Sequence, residues 1–186
     1  MSQSPVTGGF ATPPASYPLG VSISDKVSVK RIDRRTADRM YQTHHSYLPR
    51  GRQGYHYGVY LDGQIVGAVT FDAWPSQSEI RGYKSREIKE VARVCIVNET
   101  SNLASCAMAK AQDRFVSDRP DNDTAEDTPL SLLVTYVRED YEGSMFAALA
   151  GKGWERDGHS TGHAPGNRQK HEIHNWDKER WVCPLE

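Results

Sequence analysis

The sequence predicts an α/β fold of the α+β kind, in which a mixed sheet carries helices on both of its faces. Three observations predict it. Two apolar, β-rich runs flank Asp62-Gly63 in YGVYLDGQIVGAVTF, residues 57–71, which indicates a tight hairpin. The runs EVARVCIV and LSLLVTYV, residues 90–97 and 130–137, are apolar and β-branched enough for buried strands. A helical pattern at residues 103–116 separates them and completes a strand-helix-strand unit.

The other elements follow from local signals. Residues 35–43 predict a helix before the hairpin, with Thr36 as its candidate N-cap. The segment NETSN, residues 98–102, offers capping side chains for the helix that begins at residue 103. After the second buried strand, the sequence predicts a short helix at 143–154 broken by glycines, an irregular His- and Gly-rich segment at 157–175 and a closing strand at 179–185.

Length and composition predict one domain, residues 23–186, behind a tail. A chain of 186 residues is long enough to bury one core. Residues 1–22 are rich in Ser, Pro, Gly and Thr, so we expect a disordered tail, and they lack the charged and apolar regions of a secretory signal. Without an apolar run of eighteen residues, no membrane span is expected.

The cysteines indicate a reducing compartment. The chain has three, Cys95, Cys106 and Cys183, at irregular spacing. An odd, irregular set favours free thiols and a cytoplasmic location over a disulfide framework. Cys95 and Cys106 fall in apolar patterns, which favours a core role over a nucleophilic one.

The formal net charge of −1 conceals an asymmetry. Residues 26–52 hold eight Lys and Arg against two acids, whereas residues 117–127 hold five acids and one Arg. A basic side suits a polyanionic partner, although charge alone favours a solvated surface. The arginines proposed to contact nucleic acid are Arg31, Arg34, Arg35, Arg50 and Arg52, with Arg39 as a further member of the same basic side.

The segment THHSYLPRG, residues 43–51, concentrates side chains that can carry chemistry. Two imidazoles, His44 and His45, stand beside Tyr47 and a Pro-Arg-Gly turn. Histidine titrates near neutral pH and is a natural proton acceptor. Taken alone, a polar loop with hydrogen-bonded histidines is the simpler interpretation. Adjacent residues in extended chain point opposite ways, so only one imidazole is expected to face a site.

A second group of histidines, His159, His163, His171 and His174, follows later in the chain. Their spacings match no standard ligand pair, even with Cys183 added, so no metal site is predicted. A loop without a role, or one that contacts nucleic acid, is the favoured interpretation.

The motifs HHSYLP, GVYLDGQIVGAVTF, EVARVCIVNET, LLVTY and WERDG resemble, in order, the Mom family of phage DNA-modification proteins, over about residues 28–183. The resemblance implies a GCN5-related N-acetyltransferase-like fold with a mixed, mostly antiparallel sheet flanked by helices. It also implies a transferase that places a carbamoylmethyl group on the N6 amine of adenine in double-stranded DNA, which protects phage DNA from host restriction.

The resemblance also assigns residues. The family's His-Tyr element falls on His44, His45 and Tyr47, its strand-borne Arg on Arg93, and its Ser/Thr-Tyr pair on Thr135 and Tyr136. The aromatic residue of its last helix falls on Phe146, which has no hydroxyl. Tyr47 or Tyr57 is expected to stack on the target base. The catalytic set is therefore His44, His45, Tyr47, Arg93 and Tyr136.

The fold and the sequence give conflicting indications of the donor. The fold implies an acetyl-CoA or similar acyl-CoA donor on a glycine-rich loop, but the corresponding segment NETSNLAS has no glycine. Asn98, Thr100, Ser101 and Asn102 are the candidate cofactor-binding residues there. Two alternatives remain: an ordinary N-acetyltransferase acting on a protein or small amine, and a non-catalytic DNA-binding accessory protein. A homodimer and the need for a metal are left open.

Overall fold

The computed structural model of the chain describes residues 22–45, 53–76, 78–118, 129–141, 143–160 and 176–185. These residues form seven strands, four α-helices and one 3₁₀ turn at Ser85–Glu87. In chain order the helices and strands are α1 (Ile23–Lys26), β1 (Val27–Ile32), α2 (Arg34–His44), β2 (Tyr55–Leu61), β3 (Gln64–Ala73), β4 (Ile88–Ile96), α3 (Leu103–Asp118), β5 (Leu132–Arg138), α4 (Met145–Ala150), β6 (Glu155–Ser160) and β7 (Lys178–Pro184).

The strands form one sheet in the order β1-β2-β3-β4-β5-β7-β6. Only β4 and β5 pair in parallel, and every other neighbouring pair is antiparallel. The expected mixed, mostly antiparallel sheet with helices on both faces is therefore confirmed. The parallel pair is joined through α3, as the strand-helix-strand pattern in the sequence predicted.

Local sequence signals explain how the first half of the sheet forms. Asp62 and Gly63 both have positive φ, 49° and 82°, and close the β2–β3 hairpin that the sequence predicted. The N-cap of α2 is Asp33, whose carboxylate accepts the Thr36 main-chain N–H at 3.0 Å and the Thr36 hydroxyl at 2.8 Å. Thr36 was expected to be this cap, but it lies inside the first turn and donates to the residue that caps the helix.

The two faces of the sheet carry different cores. On the α3 face, residues such as Phe71, Val91 and Leu133 pack under α3 and α4, and Phe115 stacks on Phe71 with ring centroids 4.2 Å apart. On the α2 face, Ala37, Met40 and Tyr41 of α2 pack on Ala68 and Cys95. Beside α2 on this face, a smaller apolar group lies beneath residues 74–83 and consists of Trp74, Ile80, Ile88, Leu132, Val134 and Val182.

The parallel pair β4–β5 separates soon after it begins. Pairing covers only Ile88, Lys89 and Glu90 against Leu132, Leu133 and Val134. One residue further on, the Thr135 hydroxyl donates to the Val91 carbonyl at 3.0 Å, where a regular ladder would have a main-chain bond. Thr135 is buried and marks the point from which the two strands diverge.

A bulge in β4 lies at the same level. Phe71 pairs with Val91 but Thr70 pairs with Arg93, so Ala92 is an extra residue without a partner on β3. The extra residue changes the alternation of side chains. Arg93 is thereby placed opposite Thr70, on the α2 face, while Val94 returns to the α3 face beside Val69.

Two strands were not predicted from the sequence. Residues 27–32 form β1 at one edge, and residues 155–160 form β6 at the other. The expected irregular segment at 157–175 is therefore wrong for residues 157–160, which pair with β7. The remainder of that segment, and the predicted tail except Ser22, lie outside the described residues. Ser22 caps α1 by accepting the Ser24 N–H.

The structure also shows the state of the cysteines and the character of the helices. Cys95 and Cys183 are buried, Cys106 is half-buried, and all three are free thiols. Within the described residues, no helix combines the length and the apolar character that a membrane crossing requires.

Thr135→Val is expected to lower the free energy of unfolding by about 1–3 kcal/mol, because it removes the donor to a buried carbonyl while keeping the side-chain shape. The measurement is urea unfolding followed by circular dichroism. Thr43→Val is the matched control, since the Thr43 hydroxyl donates to the Arg39 carbonyl at an exposed position, and it is expected to cost less than about 0.5 kcal/mol. Equal unfolding midpoints for the two variants would show that the hydrogen bond from Thr135 to the Val91 carbonyl does not stabilise the fold.

Candidate active site

A cleft opens where β4 and β5 diverge. Its volume is about 150 Å³, and it reaches from Val91 and Thr135 to the start of α3 and α4. Because the strands no longer pair there, main-chain groups along the inner edge of each strand face the cleft instead of a neighbour. The residues that line it are Val91, Ala92, Arg93, Val94, Ile96, Asn98, Ala104, Thr135, Tyr136, Val137, Tyr141, Ser144 and Met145.

Arg93 brings a positive charge to this cleft. The side chain is half-buried, and one guanidinium N–H donates to the Ala92 carbonyl at 2.5 Å. The bulge at Ala92 fixes the direction of Arg93, which lies opposite Thr70. The predicted catalytic arginine therefore belongs both to the cleft and to the α2 face, which is the face that α2 and its histidines approach.

The two histidines at the end of α2 have different surroundings. His44 is the last residue of α2 and is exposed, whereas His45 is the C-cap and is half-buried. The His45 ring meets the Tyr41 ring edge-on, with centroids 6.1 Å apart. Burial lowers the pKa of His45 to about 4, and the positive charge of Arg93 acts in the same direction. His45 is consequently neutral at physiological pH and within electrostatic reach of Arg93.

Tyr136 is the fourth predicted catalytic residue that the structure places, after Arg93, His44 and His45. It lines the cleft from β5, is half-buried, and packs on the apolar group beneath residues 74–83. Its neighbour Thr135 has the structural role described above. Tyr47, Arg50 and Arg52 lie outside the described residues, so their positions are not part of this site description.

The proposed cofactor loop, residues 98–102, uses its own polar groups internally. The side-chain oxygen Oδ1 of Asn98 accepts the Thr100 main-chain N–H at 2.8 Å and also the Thr100 hydroxyl. The Leu103 N–H donates to the Thr100 carbonyl, and Asn102 has a φ of 63°. Asn98 lines the cleft, and the N–H groups of Thr100 and Leu103 are already bonded within the loop. This loop does not fit the pyrophosphate of a coenzyme A donor in the manner usual for such folds, and Ser101 is exposed beside it.

The predicted basic side includes the exposed surface of α2 and the end of β1. Arg31, Arg34, Arg35 and Arg39 are all exposed. Arg34 also lies 3.6 Å from the Asp38 carboxylate one turn along the helix. Since α2 carries Arg34 and Arg35 in its first turn and Arg39 in its middle, with His45 as its C-cap, one helix joins the basic surface to the neighbourhood of Arg93.

Two residues of the α2 face were missed by the sequence interpretation. Lys178, at the start of β7, is half-buried; burial lowers its pKa most, Glu90 opposes this, and Arg93 adds to it. His56 of β2 is buried and bonds the Thr70 hydroxyl at 2.9 Å. Both positions sit in strands, and only the pairing of strands reveals what lies opposite them.

Two aromatic residues named in the sequence analysis pack within the core. Tyr57 was expected to be available for base stacking, but it is fully buried on the α3 face and donates its hydroxyl to Asp118 at 3.1 Å. Phe146 packs between Tyr141 and Trp181, with ring centroids 6.3 and 6.0 Å away. Its contacts with these two rings make it part of the core near the cleft mouth.

Only one member of the second histidine group lies within the described residues. His159 lies in β6, whereas His163, His171 and His174 lie outside the described residues. Across the ranges that the structure describes, no three His, Cys, Asp or Glu side chains are arranged to hold a metal ion.

Comparison with known proteins gives a family and a fold. The sequence model of the Mom protein family matches residues 26–121, more than half of the 186-residue chain. The matched region runs from the end of α1 to just beyond α3 and includes α2, the hairpin, β4 with Arg93, and the loop at 98–102. No curated protein sequence matches the chain.

Solved structures share the architecture at low sequence identity. The ribosomal-protein-S18-alanine N-acetyltransferase from Escherichia coli superposes with a TM-score of 0.55 and 9% identity, covering 86% of this chain and 94% of that one. The ribosomal-protein-S5-alanine acetyltransferase from Vibrio fischeri gives 0.54 and 12%, covering 86% and 93%. A GNAT-family acetyltransferase from Bacillus anthracis gives 0.53 and 12%, covering 86% and 95%. The superpositions show that the fold is that of the GCN5-related N-acetyltransferases. Because the sequence identities are so low, they leave the substrate undetermined.

The depressed pKa of His45 predicts a loss of stability in mild acid. Between the ordinary value of 6.5 and about 4, the unfolded chain binds a proton at His45 that the folded chain does not. The free energy of unfolding should therefore fall as pH falls from about 6.5 towards 4, and His45→Gln should reduce that slope.

The measurement is urea unfolding between about pH 7 and pH 5, with the His45 ring followed by NMR. His44→Gln, a change at the neighbouring exposed histidine, is the control. A His45 ring that titrates at the ordinary value would contradict its buried, neutral state.

Proposed function

The chain belongs to the Mom protein family, and we propose that it transfers a carbamoylmethyl group to the N6 amine of adenine in double-stranded DNA, a modification that protects the DNA from restriction. One observation carries this proposal. The cleft between β4 and β5 opens at Arg93 on the face where α2 brings the half-buried, neutral His45. A donor in the cleft and a base presented from the α2 side would meet at these two residues.

The donor side of the reaction is supported by the unpaired strand edges. Beyond Glu90, the inner edges of β4 and β5 expose main-chain donors and acceptors, which an extended donor chain with amide groups can bond in place of a strand. The apolar walls include Val94, Ile96 and Met145 and would exclude water from the reacting group. The loop at 98–102 does not favour a coenzyme A pyrophosphate, so the donor class stays open.

The acceptor side needs a proton acceptor and a stabilised charge. The lone pair of the adenine N6 amine is delocalised into the ring, so the amine is a poor nucleophile until it is held against an electrophile. As N6 forms the new bond to carbon, the leaving group departs with its electron pair, and N6 gives up one proton. A neutral His45 can accept that proton. With a pKa of about 4 it is a weak base, so it suits removal of the proton after attack, when N6 has become strongly acidic.

Arg93 has the complementary role. Its guanidinium would stabilise the negative charge that develops on the donor, from a position that the bulge at Ala92 holds in advance. The same charge disfavours a protonated His45 before the reaction. Tyr136 would contact the donor from β5, and Tyr47, by the family resemblance, would orient the base.

The DNA side depends on α2. A duplex hides the N6 amine in the stack, so the base must be extruded into the site. Arg34, Arg35 and Arg39 are exposed on α2 and can hold phosphates. Eleven helical residues span about 16 Å, less than half of the roughly 34 Å repeat of B-DNA, so phosphate contacts and an extruded base can be engaged together.

The decisive experiment is mass spectrometry of nucleosides from the DNA of cells that express the protein. We expect a modified deoxyadenosine with the wild type, and its loss with His45→Ala, Arg93→Ala and Tyr47→Phe, each shown to be folded by circular dichroism. His44→Ala is the matched control, since the exposed imidazole should be dispensable. Full modification by folded His45→Ala and Arg93→Ala variants would refute this site.

The alternatives give different outcomes in the same cells. An ordinary N-acetyltransferase leaves the DNA unmodified and binds acetyl-coenzyme A tightly in calorimetry, which the bonded loop at 98–102 does not favour. A non-catalytic accessory protein binds DNA but yields no modified nucleoside.

DNA binding should weaken steeply as salt is raised, with a slope that reports the number of phosphates that the protein neutralises. Reversing the charge of one arginine at the interface should reduce the slope by about 0.9 for each phosphate that is no longer neutralised, and it should weaken binding to all sequences alike. The variants are Arg35→Glu and Arg39→Glu, measured by fluorescence anisotropy on unrelated duplexes. Lys152→Glu, an exposed change beyond α4, is the control. A flat salt dependence would remove α2 from the DNA interface.

A further inference from the structure

A buried chain of hydrogen bonds crosses the α2 face from α2 to β2. The Tyr41 hydroxyl lies 2.7 Å from the Thr70 hydroxyl, which lies 2.9 Å from His56 Nδ1. Tyr41 and Thr70 are fully buried and His56 is 5% exposed. The three residues come from α2, β3 and β2, so the chain also ties the helix to the sheet.

The chain fixes which imidazole nitrogen of His56 carries the proton. Burial raises the pKa of Tyr41, so its phenol keeps its hydrogen. If His56 Nδ1 donated to Thr70 and Thr70 donated to Tyr41, the phenol hydrogen would be buried without an acceptor. In the reverse direction Tyr41 donates to Thr70, Thr70 donates to Nδ1, and every hydrogen is used. Buried polar groups are almost always satisfied, so the reverse direction holds and the proton of the neutral ring is on Nε2.

The ring of His56 borders an open depression of about 410 Å³ between the end of β1, the start of α2 and the entry to β2. Nδ1 is engaged by Thr70, and Nε2 has no hydrogen-bond partner within the described part of the chain. The ring therefore offers an N–H donor that the described residues do not use. The residues that line the depression are Arg31, Ile32, Asp33, Arg34, Gln53, Gly54 and His56.

The charges around the depression favour a singly charged anion. Among the residues that line it, two arginines, Arg31 and Arg34, outnumber the one acid, Asp33, while Asp38, outside the lining, lies 3.6 Å from Arg34. The Asp33 carboxylate is occupied by Thr36 at the helix cap.

The His56 ring itself is neutral. Burial lowers the pKa of His56 most; among its neighbours, Asp38 and Asp72 raise this pKa, whereas Arg34 and Arg31 lower it. The ring therefore donates a hydrogen bond without adding charge. At Gly54 a Cβ would lie 2.2 Å from the Phe71 carbonyl oxygen, so the chain at this rim passes directly over β3.

We propose that this depression binds a phosphodiester of the DNA backbone, with His56 Nε2–H donating to a phosphate oxygen and Arg31 and Arg34 balancing its charge. The proposal rests on the proposed DNA substrate and adds to it a neutral, orientation-specific contact. A guanidinium on a mobile side chain attracts phosphate from many directions, whereas a buried ring fixes where the oxygen must lie. Thr70 and Tyr41 are positioning residues, because they act on the phosphate only through the ring of His56.

The first test reads the tautomer in the folded protein. Nitrogen NMR of the imidazole should show His56 as the Nε2–H form in the wild type. Thr70→Ser should retain that form, since it keeps the hydroxyl, and Thr70→Val should lose it. Inorganic phosphate should shift the Nε2 signal of the wild type. An Nδ1–H tautomer in the wild type, or an Nε2 signal that neither phosphate nor a duplex shifts, would overturn the proposal even if every variant failed to fold.

The second test measures affinity for duplex DNA. A hydrogen bond to a charged group is worth roughly tenfold to a hundredfold in affinity, so His56→Ala should weaken binding by that factor. Since the ring is neutral, the salt slope should stay unchanged, whereas Arg31→Gln should reduce it by about 0.9. His56→Gln can place its amide N–H near the position of Nε2 and should bind better than His56→Asn, which imitates Nδ1.

The outcomes separate this site from the catalytic one. Unchanged DNA affinity in folded His56→Ala, with adenine still modified, would refute the phosphate contact and leave the proposed function intact. Weakened affinity together with an absence of modified adenine in the wild type would support the contact and refute the proposed reaction. A response of His56 to inorganic phosphate but not to a duplex would assign the depression to a free phosphate group instead of the DNA backbone, and would also overturn the proposal.

Discussion

The separation of β4 from β5 is the constraint on which the rest of the structure depends. Three residue pairs hold the strands together, and the Thr135 hydroxyl bonds the Val91 carbonyl where main-chain pairing stops. A continuous sheet would satisfy its own polar groups and leave no room for a ligand. The early end of the pairing creates the space of the cleft and turns the main-chain edges of the two strands towards it. The stability that a longer ladder would have supplied must come from the cores under α3 and α2.

The bulge at Ala92 determines on which face of the sheet Arg93 lies. Without the extra residue, strand alternation would place Arg93 on the same face as Val91, among the apolar side chains under α3. An unpaired cation in that core would be costly. With the bulge, Arg93 lies opposite Thr70 and enters the polar part of the α2 face. One inserted residue in β4 thus determines which face of the sheet carries the Arg93 side chain.

The sequence predicted the elements whose signals are local and missed those that depend on partners. The Asp62-Gly63 turn and the apolar β5 were evident because turn chemistry and burial leave their mark on short segments. β6 reads ERDGHS and has no apolar alternation, so only its pairing with β7 makes it a strand. The resemblance placed His45 and Arg93 in one site, whereas His56 needed the register. The two-residue turn alone would pair His56 with Val69, and the irregularity after Val59 brings Thr70 opposite instead.

These features together make α2 a rigid link between the two halves of the proposed reaction. Asp33 fixes its start, and the Tyr41–Thr70 bond holds its middle to β3. At its end, His45 is placed against Tyr41. The arginines at the start of α2 and the candidate proton acceptor at its end are therefore held by the same helix. The same bond through Thr70 orients His56, so the residue that would locate a phosphate and the residue that would accept a proton share one buried anchor. A shift of α2 large enough to misplace His45 would also have to break the Tyr41–Thr70 bond, which sets the direction of the hydrogen bond from Thr70 to His56.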